Sequence, residues 1–170
     1  MFIDIHKLER DRLEFVQVHS PGRLDLGPDA AQVEPLAAEG SAELVAPEIH
    51  LQGLLRTTVE VSCARCLEAV RLPVEREFDL VYRPMQTIAR NEEVEIRGAE
   101  LGIGFYQGNG LLLEDALKEQ ILLSLPIKSL CKPDCAGLCP QCGQNRNFTA
   151  CGCRPLAGED RWAPLARLKK

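Results

Sequence analysis

The chain has 170 residues, 45% hydrophobic but only 5% aromatic, with a formal net charge of -5. That length suffices for one core filled mainly by Leu, Val, Ile and Ala, and no apolar run approaches the roughly 18–20 residues that span a bilayer. Charges run through Asp4, Lys7, Glu9 and Arg10 with no apolar h-region, so no secretory signal is expected. A cytoplasmic location follows as an expectation, and there clustered cysteines read as metal ligands or redox groups before disulfides.

In chain order, Phe2 to Ile5 and Leu13 to Val18 read as short strands separated by charged residues. Ser20 to Gly40 is rich in Pro, Gly, Ala and acids and reads as connecting structure. Ile49 to Ser62 and Ala69 to Tyr82 carry β-branched and alternating apolar residues, predicting a hairpin with Cys63-Ala64-Arg65-Cys66 at its tip. Residues 84–110 are irregular, with strand candidates at Glu93 to Arg97 and Gly104 to Gln107. Apolar spacing then predicts a helix over 111–124, capped by Asn109 or Gly110 and ended by Pro126, with Glu114 and Asp115 favouring its dipole. A second short helix is expected at Ala163 to Leu168.

The charge is divided unevenly. Residues 1–127 hold 12 Lys+Arg against 22 Asp+Glu, a balance of -10, and residues 128–170 hold 8 against 3, a balance of +5. The expected organisation is an acidic β-rich body at 1–127 and a basic Cys-rich module at 128–170, packed as one unit. The fold class is α+β: an antiparallel body, one main amphipathic helix and a small zinc-organised module.

Eight cysteines carry the chemistry: Cys63, Cys66, Cys131, Cys135, Cys139, Cys142, Cys151 and Cys153. Two pairs have the C-x2-C spacing, which lets a tight turn aim both sulfurs at one ion. Gly143 directly after Cys142 suits the sharp turn of a zinc knuckle. Cys139, Cys142, Cys151 and Cys153 form a compact local set, leaving Cys63, Cys66, Cys131 and Cys135 as a long-range set. Spacing alone does not fix that partition, so other pairings stay open. Iron–sulfur ligation is a rival reading, though the ferredoxin run of motifs is missing. A redox dithiol is another, although Cys63 and Cys66 lie between strands, not at a helix N-terminus.

All-thiolate zinc sites are closed and electron-rich, so they suit structure better than water activation. His6, His19 and His50 show no H-E-x-x-H or H-x-E pattern, and no Walker loop, nucleophile elbow or dinucleotide fingerprint is present. No enzyme and no small-molecule substrate are expected. The basic segment offers Arg65, Lys132, Arg146 and Arg154 near the cysteines for phosphates, with Phe148 as a stacking ring. Direct contact with RNA is one reading of these residues. A zinc-stabilised protein-interaction adaptor without RNA contact is the alternative.

Several elements occur together: Cys63-Ala64-Arg65-Cys66-Leu67 after a β run, a helix ending in Leu125-Pro126, then Cys131 through Cys135-Ala136-Gly137-Leu138-Cys139-Pro140-Gln141-Cys142-Gly143, and a closing Asp160-Arg161-Trp162-Ala163-Pro164-Leu165. In this order they resemble the bacterial YceD family, the large ribosomal RNA subunit accumulation proteins. The resemblance runs along the whole chain, although Ser20 to Gly40 adds nothing to it. It implies a non-enzymatic role in making or stabilising large-subunit rRNA, with rRNA, a ribosomal protein or a precursor particle as partner, and leaves an rRNA-processing enzyme as a weak third reading. It also implies relatives in plastids, and a cysteine content that varies within the family, so that metal supports the fold in some members and is dispensable in others.

Overall fold

A computed structural model describes residues 1–85 and 102–153. Its elements are β1 (Phe2–Asp4), α1 (Ile5–Leu8), β2 (Leu13–His19), β3 (Ala30–Gln32), β4 (Leu36–Val45), β5 (Glu48–Ser62), β6 (Ala69–Pro84), β7 (Ile103–Tyr106), β8 (Gly110–Leu112) and α2 (Leu113–Ser124). The longest alternating runs of the sequence make the longest strands. β5 and β6 form a hairpin in continuous antiparallel register from Ile49↔Tyr82 to Ser62↔Ala69. The expected hairpin is therefore present, with the first cysteine pair at its turn.

The main sheet has the order β2-β4-β5-β6-β7, and β3 also pairs with β5, beyond the end of β4. A second sheet is the antiparallel pair β1 and β8. The main sheet is antiparallel except that β7 runs parallel to β6, with Val81↔Ile103 in register. That pairing modifies the antiparallel expectation. Along β5, Ile49, Leu51, Leu55, Thr57 and Val59 are buried while Gln52 and Arg56 are exposed, so one face turns to the core. Helix α2 contributes Leu113, Ala116, Leu117, Gln120 and Ile121 to that interior. Arg76 of β6 donates from Nε to Gln120 Oε1 at 3.0 Å, satisfying a buried amide at the helix–sheet junction.

One row of the sheet aligns Phe15, Gly40, Gly53 and Phe78 across four strands. A Cβ on Gly53 would stand 2.8 Å from the Phe78 ring, and one on Gly40 would stand 2.9 Å from the Phe15 ring. The two central glycines thus make room for aromatic rings from the two flanking strands. Both rings are buried.

Three sequence expectations change here. Ser20 to Gly40 is more than connection, because it contains β3 and the start of β4. Its alternation is written largely in alanine, as in Leu36-Ala37-Ala38-Glu39, which gives a weak β signal until β5 pairs with it. Helix α2 begins at Leu113 and not at Leu111, because Leu111 and Leu112 pair with Ile3 and Phe2. Gly110 is used in that ladder, where a Cβ would collide with the Ile3 carbonyl, and the actual N-cap, Leu112, makes no side-chain cap. The expected end holds: Ser124 is the last helical residue and Leu125 precedes Pro126 in extended conformation. A strand was expected at Gly104 to Gln107, and β7 occupies Ile103–Tyr106. The candidates at Glu93 to Arg97 and Ala163 to Leu168 lie outside the described residues.

Candidate metal centres

Two tight turns of the same design present the C-x2-C pairs. At the hairpin tip the Leu67 N–H donates to the Cys63 carbonyl at 3.0 Å, and at the second turn the Gly143 N–H donates to the Cys139 carbonyl at 2.9 Å. In both turns the residue after the second cysteine is left-handed, with φ 65 at Leu67 and φ 71 at Gly143. This conformation suits Gly143, whereas Leu67 holds it against the steric cost of its Cβ.

The segment after α2 docks on the hairpin tip. The Ala64 N–H donates to the Ser129 carbonyl at 2.8 Å, and the Leu138 N–H to the Arg65 carbonyl at 3.0 Å. Gly137, also left-handed at φ 71, lies so near that a Cβ would stand 3.0 Å from the Arg65 carbonyl oxygen. The Arg65 guanidinium returns the contact, donating from Nη1 to the Cys135 carbonyl at 2.9 Å.

These contacts gather the eight sulfurs into two sets. Cys63, Cys66, Cys131 and Cys135 form the hairpin centre; Cys139, Cys142, Cys151 and Cys153 form the local centre. Within each set all four sulfurs lie within 4.8 Å of one another. The grouping is the one that sequence spacing favoured. In the hairpin centre the Sγ atoms of Cys63 and Cys135 are 3.8 Å apart, and those of Cys66 and Cys131 are 3.5 Å apart. A tetrahedron with metal–sulfur bonds of about 2.3 Å has sulfur–sulfur edges of about 3.8 Å. The spacing fits a single ion and is far too long for a disulfide bond of about 2.05 Å. Either set could hold a metal ion. None of the histidines joins either group.

The electrostatics favour a cation. The Arg65 backbone amide, with help from those of Cys131 and Cys66, lowers the Cys63 thiol from 9.0 to about 6. In the local centre the amides of Cys142 and Gln141 lower Cys139 to about 6. Asn147 lowers Cys135 by donating to its sulfur. Removal from water, with Cys66 and Cys135 alongside, pushes Cys131 up to about 12; Cys142 and Cys139 push Cys153 up to about 12. For Cys66 the Glu68 amide acts downward, yet burial and the neighbouring thiols leave it raised. Each set thus contains thiols that ionise readily beside thiols that resist a second negative charge. A bound divalent cation removes that resistance.

Lys132, Arg146 and Phe148 are exposed on the Cys-rich segment, with Phe148 77% accessible. Arg65 is also exposed, but its guanidinium is engaged by Cys135. Arg154 lies outside the described residues. Sequence reasoning missed the donor role of Asn147 toward a cysteine sulfur, because nothing in its position between Cys142 and Cys151 points toward Cys135. It also missed Gly137 as a contact point; the only visible signal was a glycine between two cysteines.

The family model described as Large ribosomal RNA subunit accumulation protein YceD matches residues 51–169. The chain is 31% identical over 163 residues to an uncharacterised protein of Mycobacterium tuberculosis, covering 89% of this chain and 70% of that relative. It is 25% identical over 130 residues to the chloroplastic large ribosomal RNA subunit accumulation protein YCED homolog 1 of Zea mays, covering 63% of this chain and 44% of the relative. The Arabidopsis thaliana protein of the same name is 23% identical over 152 residues, covering 72% and 45%. No solved structure matches the chain. The matched span contains both C-x2-C turns, the helix and all eight cysteines, and the chain belongs to the YceD family, the large ribosomal RNA subunit accumulation proteins.

Proposed function

We propose that this chain is a non-enzymatic accessory factor of ribosome biogenesis in the cytoplasm. It supports accumulation of large-subunit rRNA by binding rRNA, a ribosomal protein or a precursor particle. The observation that carries the reading is the family match across residues 51–169. Two zinc ions, one in each cysteine set, hold the basic segment on the acidic body. Zinc suits four thiolates in tetrahedral array, and the sulfur spacing argues for one ion in place of an iron–sulfur cluster. Such closed centres leave no open position for a reacting water, which supports a structural role.

Contact with rRNA would fall to Lys132, Arg146 and Phe148, which stand exposed, with Arg65 and Arg154 as further candidates. The adaptor reading, without RNA contact, is favoured by one observation: Arg65 donates to the Cys135 carbonyl and so already serves the fold. Depleting the protein in its own host and measuring large- against small-subunit rRNA tests the biological role. An unchanged ratio refutes it. Binding of purified protein to large-subunit rRNA fragments over a salt series separates the two modes. Phosphate contacts make affinity fall with salt along a log–log line, and the Lys132→Ala, Arg146→Ala variant flattens that slope by about two. Elemental analysis of protein purified without added metal is expected to give two zinc per chain.

A further inference from the structure

Resting on the two-ion reading, we infer that the two metal centres form one coupled unit, with the carboxamide of Asn147 as the positioning group that links them. Asn147 lies in the segment joining Cys142 to Cys151, so both ends of its loop are ligands of the local centre. Its side chain reaches the other centre: Nδ2 donates to the Sγ of Cys135 at 3.3 Å. The second Nδ2 hydrogen goes to Asn145 Oδ1 at 2.9 Å, and Oδ1 accepts from the Ala136 N–H at 2.8 Å. The acceptor role toward a backbone N–H fixes which end of the amide is nitrogen, so the donor faces the sulfur.

The rest of the loop is braced toward both centres. The Arg146 N–H donates to the Gly137 carbonyl at 2.9 Å, and the Cys139 N–H to the Gln144 carbonyl at 2.9 Å. Asn145 Nδ2 donates to Glu68 Oε1 at 3.1 Å, reaching the hairpin tip beside Cys66. An ion in the local centre pins Cys142 and Cys151, and so holds Asn147 where Cys135 needs a donor. An ion in the hairpin centre fixes Cys135 and Ala136, and so orders that loop in return. Binding at either centre therefore favours binding at the other, by the same factor in both directions.

The test uses the full chain loaded with cadmium-113, in which each four-thiolate centre gives its own resonance, assigned with Cys→Ser variants. Affinities are read by competition with a chelator. Asn147→Ala is expected to shift the hairpin-centre resonance and weaken that centre tenfold to a hundredfold, the range for loss of a group that hydrogen-bonds a ligand. By the same reciprocity the local centre, whose ligands are all retained, weakens by a similar factor while the hairpin centre is filled, and is unaffected by Asn147→Ala once Cys63→Ser has disabled the hairpin centre. Asn147→Asp keeps the acceptor for Ala136 but turns a carboxylate oxygen toward Cys135, so it weakens the hairpin centre at least as much. Cys139→Ser, which disables the local centre, also weakens the hairpin centre, and adding Asn147→Ala to it gives little further loss. An effect of Asn147→Ala confined to one centre, or one that persists at the local centre in the Cys63→Ser background, overturns the proposal, as does full additivity with Cys139→Ser. Absence of cadmium from both centres would instead refute the two-ion reading on which this rests.

Discussion

Gly137 sits against Arg65 so closely that a methyl group on its Cα would stand 3.0 Å from the Arg65 carbonyl oxygen, and Arg65 in turn donates to the carbonyl of Cys135. This is where the C-x-R-C and C-x-G-L-C elements meet. The backbones touch because one partner has no side chain.

A comparison of two glycines follows from this contact. Gly137 and Gly143 are both left-handed at φ 71, but nothing lies within 4 Å of a Cβ on Gly143. Gly143→Ala is expected to cost only the left-handed penalty of about 1–2 kcal/mol. Gly137→Ala adds the clash with Arg65 and is expected to cost more, with looser metal at the hairpin centre. Denaturant midpoints of the metal-loaded variants give the comparison, and equal losses would remove the role assigned to the close approach.

Leu67 holds a left-handed backbone at φ 65 and exposes 66% of its surface, at the turn position that Gly143 fills in the other knuckle. Leu67→Gly relieves about 1–2 kcal/mol of backbone strain, offset by about 0.5–1 kcal/mol of extra unfolded-state freedom. A net gain of several tenths of a kcal/mol or more is expected in denaturant unfolding. A measured loss would mean that the leucine side chain stabilises the hairpin tip in some other way.

The two centres close loops of different size. The hairpin centre joins cysteines 65 and 72 residues apart, whereas the ligands of the local centre all fall between 139 and 153. Loop-closure entropy grows with the logarithm of length, so opening the larger loop costs on the order of 1–2 kcal/mol more. Cys63→Ser is therefore expected to lower the melting temperature further than Cys142→Ser, and to free residues 128–153 for proteolysis. The reverse order would contradict this assignment of the long-range clamp.

Acid is expected to weaken the metal-free chain. The folded pKa of Cys63 and of Cys139 lies at about 6, below the ordinary 9.0. Stabilisation from a lowered pKa is complete above about 9 and is lost as the pH falls through about 6. Cys131 and Cys153, pushed up to about 12, act in the opposite sense: their contribution is complete below 9 and is lost as the pH rises toward 12. Denaturant midpoints of the chelated protein should therefore fall from pH 9 to pH 6 and again above pH 9. Bound metal should flatten the acid limb until protons displace the ion. A midpoint that rises on acidification would oppose this account.

Much of the design can be read from the chain alone. Alternation in Ile49 to Ser62 and Ala69 to Tyr82 is enough for the hairpin, because period-two burial puts Leu51, Leu55 and Val59 on one face and a one-residue slip would turn the apolar set of the slipped strand to the other. Helical spacing locates α2, and Pro126 its end. The C-x2-C pairs mark their thiols as candidate metal ligands by themselves. Other features belong to the tertiary structure, because they are relations between distant residues whose types carry no distinctive signal. Alanine-rich β4 becomes a strand only with β5 and β2 on either side, and β7 pairs in parallel with β6 for reasons that no local pattern encodes. The same holds at the centres. Spacing leaves several partitions of eight cysteines open, and only the docking of Ser129 to Leu138 on the hairpin tip brings Cys63 and Cys66 to Cys131 and Cys135. Ligand type was determined by sequence, since a thiol is a thiol wherever it lies. Which thiols come together was decided in three dimensions, by a glycine that admits a backbone contact and an asparagine that reaches across to a sulfur.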